Sequence, residues 1–304
     1  MNSQEQLQLE SERSFLEQQL DALPETAVLT RSSTLSRIRT INRLLADERR
    51  VSPPLKAVLT FRGRPVVGSH GVLADFASRA TTAFADAVVT VAASLHGPLA
   101  STGPVPNRDQ CQLLITNIAV GSFGFEFEEH RPDQLPFEDN TPASHALKLT
   151  CALLEQSAEG SDDELSECIS EVSRRAIDAI RGFVEVLGAN DALCTLEVGQ
   201  QRFRFLDAGQ VQRSLERLSH DNVQETQVKL QGEFQGVLPK GRTFEFKLAS
   251  TDEVVRGTVG REVDDPGTIN QHLHEPVEIT VLETRVGTGR PRYQLLGIPD
   301  WRTE

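Results

Sequence analysis

From Asn222 onward the chain is a succession of short segments in which apolar residues alternate with polar ones, and this pattern restricts the fold more than any other feature. Five runs, 224–238, 243–249, 253–260, 276–285 and 291–297, read as strands by their period of two and by the turn residues between them. The first is long and is interrupted by Gly232 and Gly236, as a strand is when it bulges to bend around a barrel. The stretch PGTINQHL, between the third and fourth runs, is a short helical or irregular piece.

Five strands, a kinked first strand and a helical piece after the third are the layout of an OB-fold. Strand count alone does not separate it from an SH3-like barrel, and no motif certifies either. Upstream, Leu9, Leu16, Leu20 and Leu23 mark one helical stripe, and Leu35, Ile38, Ile41 and Leu45 mark another. The link between Pro24 and Thr30 separates them and Pro53-Pro54 closes the unit. So thin a pair cannot bury both stripes by itself and packs either on its own body or on another subunit; the reading favoured is a coiled-coil-like self-association element, which predicts a homo-oligomer.

Between hairpin and barrel the pattern is mixed. AVLTFRG and PVVG read as two short strands joined around Gly63, followed by a helix from Val72 to Leu95 with Leu73, Phe76, Ala80, Phe84, Val88 and Leu95 on one face. CQLLITNIAV and FGFEFEE read as strands turned by Gly121, the second alternating Phe123, Phe125 and Phe127 with Gly124, Glu126 and Glu128. Residues 143–187 read as helical. Ser161 and Glu164 form a capping box, and the face from Leu165 through Ile177 to Leu187 runs unbroken to Gly188. CTLEV and RFRFL form a strand pair, and Asp207 caps a helix carrying Val211, Leu215 and Leu218. The expected class is α+β: a helical hairpin (1–52), a small antiparallel α+β unit with an acidic helical segment (53–221), and a five-stranded OB/SH3-like β-barrel (222–304).

Charge narrows the partners. The chain carries 31 basic and 44 acidic residues, a net charge of -13. From Glu129 to Asp221 there are 9 basic and 18 acidic residues, so 18 less 9 puts -9 in that segment. Such a balance disfavours duplex DNA along the whole surface, since phosphate binding needs clustered Lys and Arg. The acidic segment is either a solvated face or a surface for a basic protein partner, as in an antitoxin. Cys111, Cys151, Cys168 and Cys194 form no C-x-x-C pair and read as buried thiols of a reducing cytoplasm, without disulfides or zinc. No signal peptide and no run of 18 apolar residues is present, so no membrane association is expected.

Two places could bind a ligand. FRGRPVVGSHG has the glycine spacing of a phosphate loop at Gly63 and Gly68, but Ser69 and His70 replace the Lys and Ser/Thr, and Pro65 removes an amide. It reads as a turn entering a helix, with a residual anion site of Arg62, Arg64, Gly68, Ser69, His70 and Gly71. In the barrel, the first loop holds Lys240 and Arg242 and the fourth holds Arg285, Arg290 and Arg292, the positions at which OB-folds flank a ligand groove. Phe244, Phe246 and Tyr293 read as core, which leaves no stacking platform. His272, His274 and Glu275 are too few for a metal site, and Asp162, Asp163 and Glu164 suit a helix start. No catalytic signature and no cofactor motif appears. The expectation is a non-enzymatic regulatory subunit that oligomerises and docks a macromolecule. The alternatives are a single-stranded nucleic-acid binder acting through the barrel, and an enzyme whose site is dispersed in sequence.

Overall fold

The structure is a computed structural model that describes residues 3–24, 26–48, 55–119, 123–130 and 141–301. Pro53-Pro54 and Gly121, expected as a helix stop and a turn, lie outside the described residues. The N-terminal hairpin consists of α1 (Ser3–Ala22) and α2 (Val28–Glu48). Arg31 Nη1 closes the turn by donating to the carbonyls of Leu20 (3.1 Å) and Leu23 (2.7 Å), and Arg37 pairs with Glu12 at 2.7 Å. Ile38, Ile41 and Leu45 are buried, while Leu35, expected beside them, is exposed and Thr34 takes the inner position. The hairpin belongs to neither of the two large apolar cores.

The α+β body is built from β1 (Lys56–Gly63), β2 (Val66–Val67), β3 (Gly71–Val72), α3 (Ala74–Ser94), β4 (Leu113–Ala119), β5 (Phe123–Glu129), α4 (Pro142–Ala158), α5 (Asp162–Ser170), α6 (Arg174–Gly188), β6 (Ala192–Val198), β7 (Gln201–Arg204) and α7 (Ala208–Arg217). Its sheet has the order β4-β5-β1-β6-β7 and every pairing is antiparallel. Leu59 lies between Phe125 and Leu196, and Phe61 between Phe123 and Cys194, so the odd-numbered residues make one apolar face. Phe76 of α3 meets Phe61 edge-on at 5.2 Å, and Phe84 bridges Phe127 (5.3 Å) and Phe183 of α6 (5.6 Å). The alanines of α3 allow this close helix layer.

Three expectations change here. The apolar face from Leu165 to Leu187 is carried by two helices, because the chain breaks at Glu171–Ser173 and restarts with Ser173 as the N-cap of α6. PVVG does not form a hairpin with β1; β2 pairs with β3, and β1 is flanked by β5 and β6. Gly63 is needed because its φ is +105° and a Cβ there would stand 2.3 Å from the Asp191 carbonyl oxygen. The helix after it starts at Ala74, leaving Leu73 exposed at the N-cap.

The barrel contains β8 (Val223–Leu238), β9 (Thr243–Leu248), β10 (Val254–Val259), β11 (Pro276–Val286) and β12 (Arg292–Leu295), with a 3-10 turn over Pro266–His272. It closes in the order β10-β12-β11-β8-β9, and the β10–β12 contact is its one parallel pairing. A parallel contact between third and fifth strands, with a helical turn between third and fourth, is the OB arrangement and decides between the two barrels. The irregularity in β8 falls between Phe234 and Gly236. The two glycines then differ: a Cβ on Gly232 would meet the Lys247 carbonyl oxygen at 1.9 Å, whereas one on Gly236 meets nothing within 4 Å. Gly232→Ala is therefore expected to cost about 1–3 kcal/mol in urea denaturation, and Gly236→Ala to stay within about 0.5 kcal/mol. Equal effects at the two positions would remove this account of the strand.

Candidate functional site

The barrel is tied to the body through one of the loops expected to bind ligand. Asp162, at the start of α5, accepts the Thr288 amide at 3.2 Å through Oδ2 and Arg217 Nη2 at 3.0 Å through Oδ1. Asp163 Oδ1 accepts the Arg290 amide at 2.7 Å, and Arg292 lies 3.6 Å from Glu167. Gly287 has φ +51° and sits so close to Asp162 that a Cβ would stand 2.5 Å from Oδ2. The acidic trio thus caps its helix through Glu164 and grips the barrel through its two aspartates.

The remaining loop residues are dispersed. Arg242, at φ +47°, donates to the carbonyls of Val259 (3.2 Å), Gly260 and Val263 (2.7 Å), so it fastens the turn to the end of β10. Arg285 pairs with Glu283 at 3.2 Å, and Lys240 is exposed without an ion pair among the described residues. Of the five, Arg292 alone lines the groove over β9 and β10. The glycine-rich stretch is also engaged internally. Arg62 donates to the carbonyls of Phe205 and Leu206, Arg64 pairs with Asp191 at 3.5 Å, and Gly68, Ser69 and His70 make the β2–β3 turn, with Gly71 opening β3 and the His70 amide on the Val67 carbonyl at 3.0 Å.

The open face of the barrel is a groove of about 660 Å³ lined by Leu238, Thr243, Glu245, Arg256, Thr258 and Tyr293, among others. Arg256 is 81% exposed and pairs with Glu245 at 2.9 Å across the strands. Gly257 keeps the floor low, since a Cβ there would lie 2.5 Å from the Phe244 ring. Glu245 falls between Phe244 and Phe246, so strand parity points it outward, and that signal was present in the sequence. Tyr293, expected in the core, is half-buried: it packs against the barrel core and also lines the groove.

A second cleft, of about 270 Å³, lies where α5 and α6 approach the barrel, and its residues span 94–296 in sequence. Burial pushes the Glu225 and Glu171 carboxyls above the ordinary range, partly offset at Glu225 by Arg174 and at Glu171 by His145. Arg174 joins α6 to the start of β8 by donating to the Val223 carbonyl at 2.8 Å. His272 stacks on Trp301 at 4.3 Å and contacts Glu275 at 2.9 Å, and no cluster of three or more metal-ligating side chains occurs among the described residues. No helix of the described residues is long and apolar enough to cross a membrane. Comparison with protein-family models, with curated proteins and with solved structures finds no match to this chain.

Two outcomes are expected. Asp162→Ala should speed hydrogen exchange at the Thr288 amide by about tenfold or more, because a charge-assisted bond worth roughly 1.5–3 kcal/mol is lost. An unchanged rate would show that other contacts hold the loop. Because burial raises the Glu225 carboxyl, the folded chain binds that proton more tightly than the unfolded chain. The stability so gained is complete below the ordinary carboxylate value of about 4.3 and is lost as pH rises through the folded value. Urea denaturation should then show wild type losing ground to Glu225→Gln between pH 4 and pH 7, and a pH-independent difference would refute this.

Proposed function

We propose that this chain is a docking protein that self-associates through its hairpin and holds an extended segment of a partner polypeptide in the β9–β10 groove. The observation that carries the reading is the Glu245–Arg256 pair in the middle of the groove, beside exposed Leu238 and close to Glu167. A strand of phosphates would meet two carboxylates there, each already paired with one of the groove's two arginines, while Arg242 is spent on carbonyls of its own chain. An extended peptide can answer both charges and cover Leu238. A strongly basic, toxin-like partner has less in its favour, since Asp162 and Asp163 already serve the barrel loop.

Self-association is supported by the hairpin itself. It leaves Leu7, Phe15, Val28, Leu29 and Leu44 exposed while burying three aliphatic side chains. Two helices of this length gain little from each other, and burial of about 25 cal/mol per Å² of apolar surface requires another surface. Removal of residues 1–50 should lower the number of chains per particle measured by light scattering, and an unchanged number would end this part of the proposal.

The groove is tested separately. Charge reversal at Arg256 (Arg256→Glu) places two carboxylates together and should abolish retention of the partner by the immobilised protein, with restoration by Glu245→Arg in the same chain. Labelled single-stranded oligonucleotides should not bind even at low salt. Binding with a steep salt dependence that Lys240→Ala weakens would replace the protein partner with nucleic acid.

A further inference from the structure

The histidines and the odd lysine of the acidic body have no role in the groove, yet three of them gather at one place. His96, just past the end of α3, His145 and Lys148 on α4, and Arg261, just past β10, line a pocket of about 360 Å³ together with Leu95, Thr141 and Pro142. Pro142, His145 and Lys148 are spaced by three, which puts them on one face of α4. The barrel supplies Arg261 from its own loop, so the pocket exists only where barrel and body meet.

The electrostatics are unusual for a chain with a net charge of -13. Among the described residues no carboxylate lines the pocket, and none of its four basic side chains has an ion pair. Among the described residues, Glu129 accepts from Thr141 Oγ1 at 2.7 Å, burial raises the Glu171 carboxyl while His145 opposes the shift, and Glu262 lies in the adjoining cleft. Arg261 is partly desolvated and lies near a second guanidinium, that of Arg242, and both effects disfavour its charge. Arg242 cannot turn away, because it is bound to three carbonyls. The first turn of α4 adds partial positive charge, and the last turn of α3 opposes it, each worth about half a charge at most. Full charges on lysine and arginine outweigh that difference.

We propose that this pocket binds a small phosphate-bearing anion, which neutralises Lys148 and Arg261 together and braces the barrel against the body. An arginine fork fits two oxygens of a tetrahedral oxyanion, and the lysine adds a point charge. The volume lies at the small end of ligand sites, roughly 300–1,000 Å³. A nucleic-acid backbone is disfavoured, since a chain of phosphates leaving the pocket would pass Glu171 and Glu262 of the adjoining cleft. The inference is independent of the peptide groove.

The test is calorimetric titration of the full chain with inorganic phosphate, inorganic pyrophosphate and a ribonucleoside 5′-monophosphate. Saturable binding of one anion per chain is expected, weakened about tenfold by Lys148→Ala or Arg261→Ala and unchanged by Lys240→Ala. All three positions are exposed, and circular dichroism confirms that each variant is folded. Tighter binding of the monophosphate ester than of phosphate identifies an organophosphate ligand, and equal binding identifies the free anion. Absence of saturable binding up to on the order of 10 mM anion, or binding that the Lys148→Ala, Arg261→Ala double variant retains, overturns the proposal.

Discussion

The architecture turns on Arg217. This side chain, 14% exposed, donates through Nη1 to the carbonyls of Gln156 (2.7 Å), Ser157 (3.2 Å) and Gly160 (2.8 Å), and through Nη2 to Asp162 at 3.0 Å. It therefore gathers carbonyls around the end of α4, of which that of Gln156 also accepts the Gly160 amide, and it fixes the carboxylate that opens α5. The other oxygen of that carboxylate faces the barrel loop. Asn222 completes the circuit: its side chain donates to the Arg217 carbonyl at 2.9 Å and its own carbonyl accepts the Gly287 amide at 3.0 Å. A guanidinium so placed costs desolvation and is stable only while its partners stay in register. The helix layer, the α4–α5 corner and the barrel orientation are in consequence one problem for the sequence, solved at one residue.

That linkage changes what the barrel can do. In a free OB module the first and fourth loops are the adaptable parts around the groove. Here the fourth is held by two aspartates and the first by Arg242, so the adaptable parts have become fasteners. What stays open is the strand surface itself, with its opposed charges and low glycine floor. A rigid rim with a mixed-charge floor recognises shape and register in an extended chain better than it recognises a uniform polyanion.

Legibility in the sequence followed the range of the interaction. The barrel strands fall within two residues of the runs of alternating residues, and the Ser161–Glu164 box and the Asp207 cap are where local chemistry puts them. The break between α5 and α6 was hidden because Leu165, Ile169, Val172 and Ala176 keep helical spacing across it. The chain turns there while the apolar contacts continue, all of them in one core. Arg242, Arg290 and Arg292 read as ligand contacts because a basic residue in a glycine-rich loop has the same local pattern whether it meets solvent, ligand or its own chain. Arg242 turns to carbonyls 17 to 21 residues away, while the Arg290 amide and the Arg292 guanidinium meet Asp163, 127 and 129 residues away. The pocket at Lys148 was hidden for the same reason, since its four basic residues come from three separate segments.

Placement of the hairpin bears on how strong any single groove needs to be. It shares no core with the body, and its exposed apolar residues face outward from a separate two-helix unit. Copies joined there would present several barrel grooves to one partner, and the second contact would then be made at an effective concentration set by the tether rather than by bulk solution. A shallow groove with one ion pair at its centre is weak alone, since a surface pair contributes about 0–1 kcal/mol. Linked in this way it needs only enough affinity to fix register, and the mixed charges of Glu245 and Arg256 supply register more readily than they supply strength.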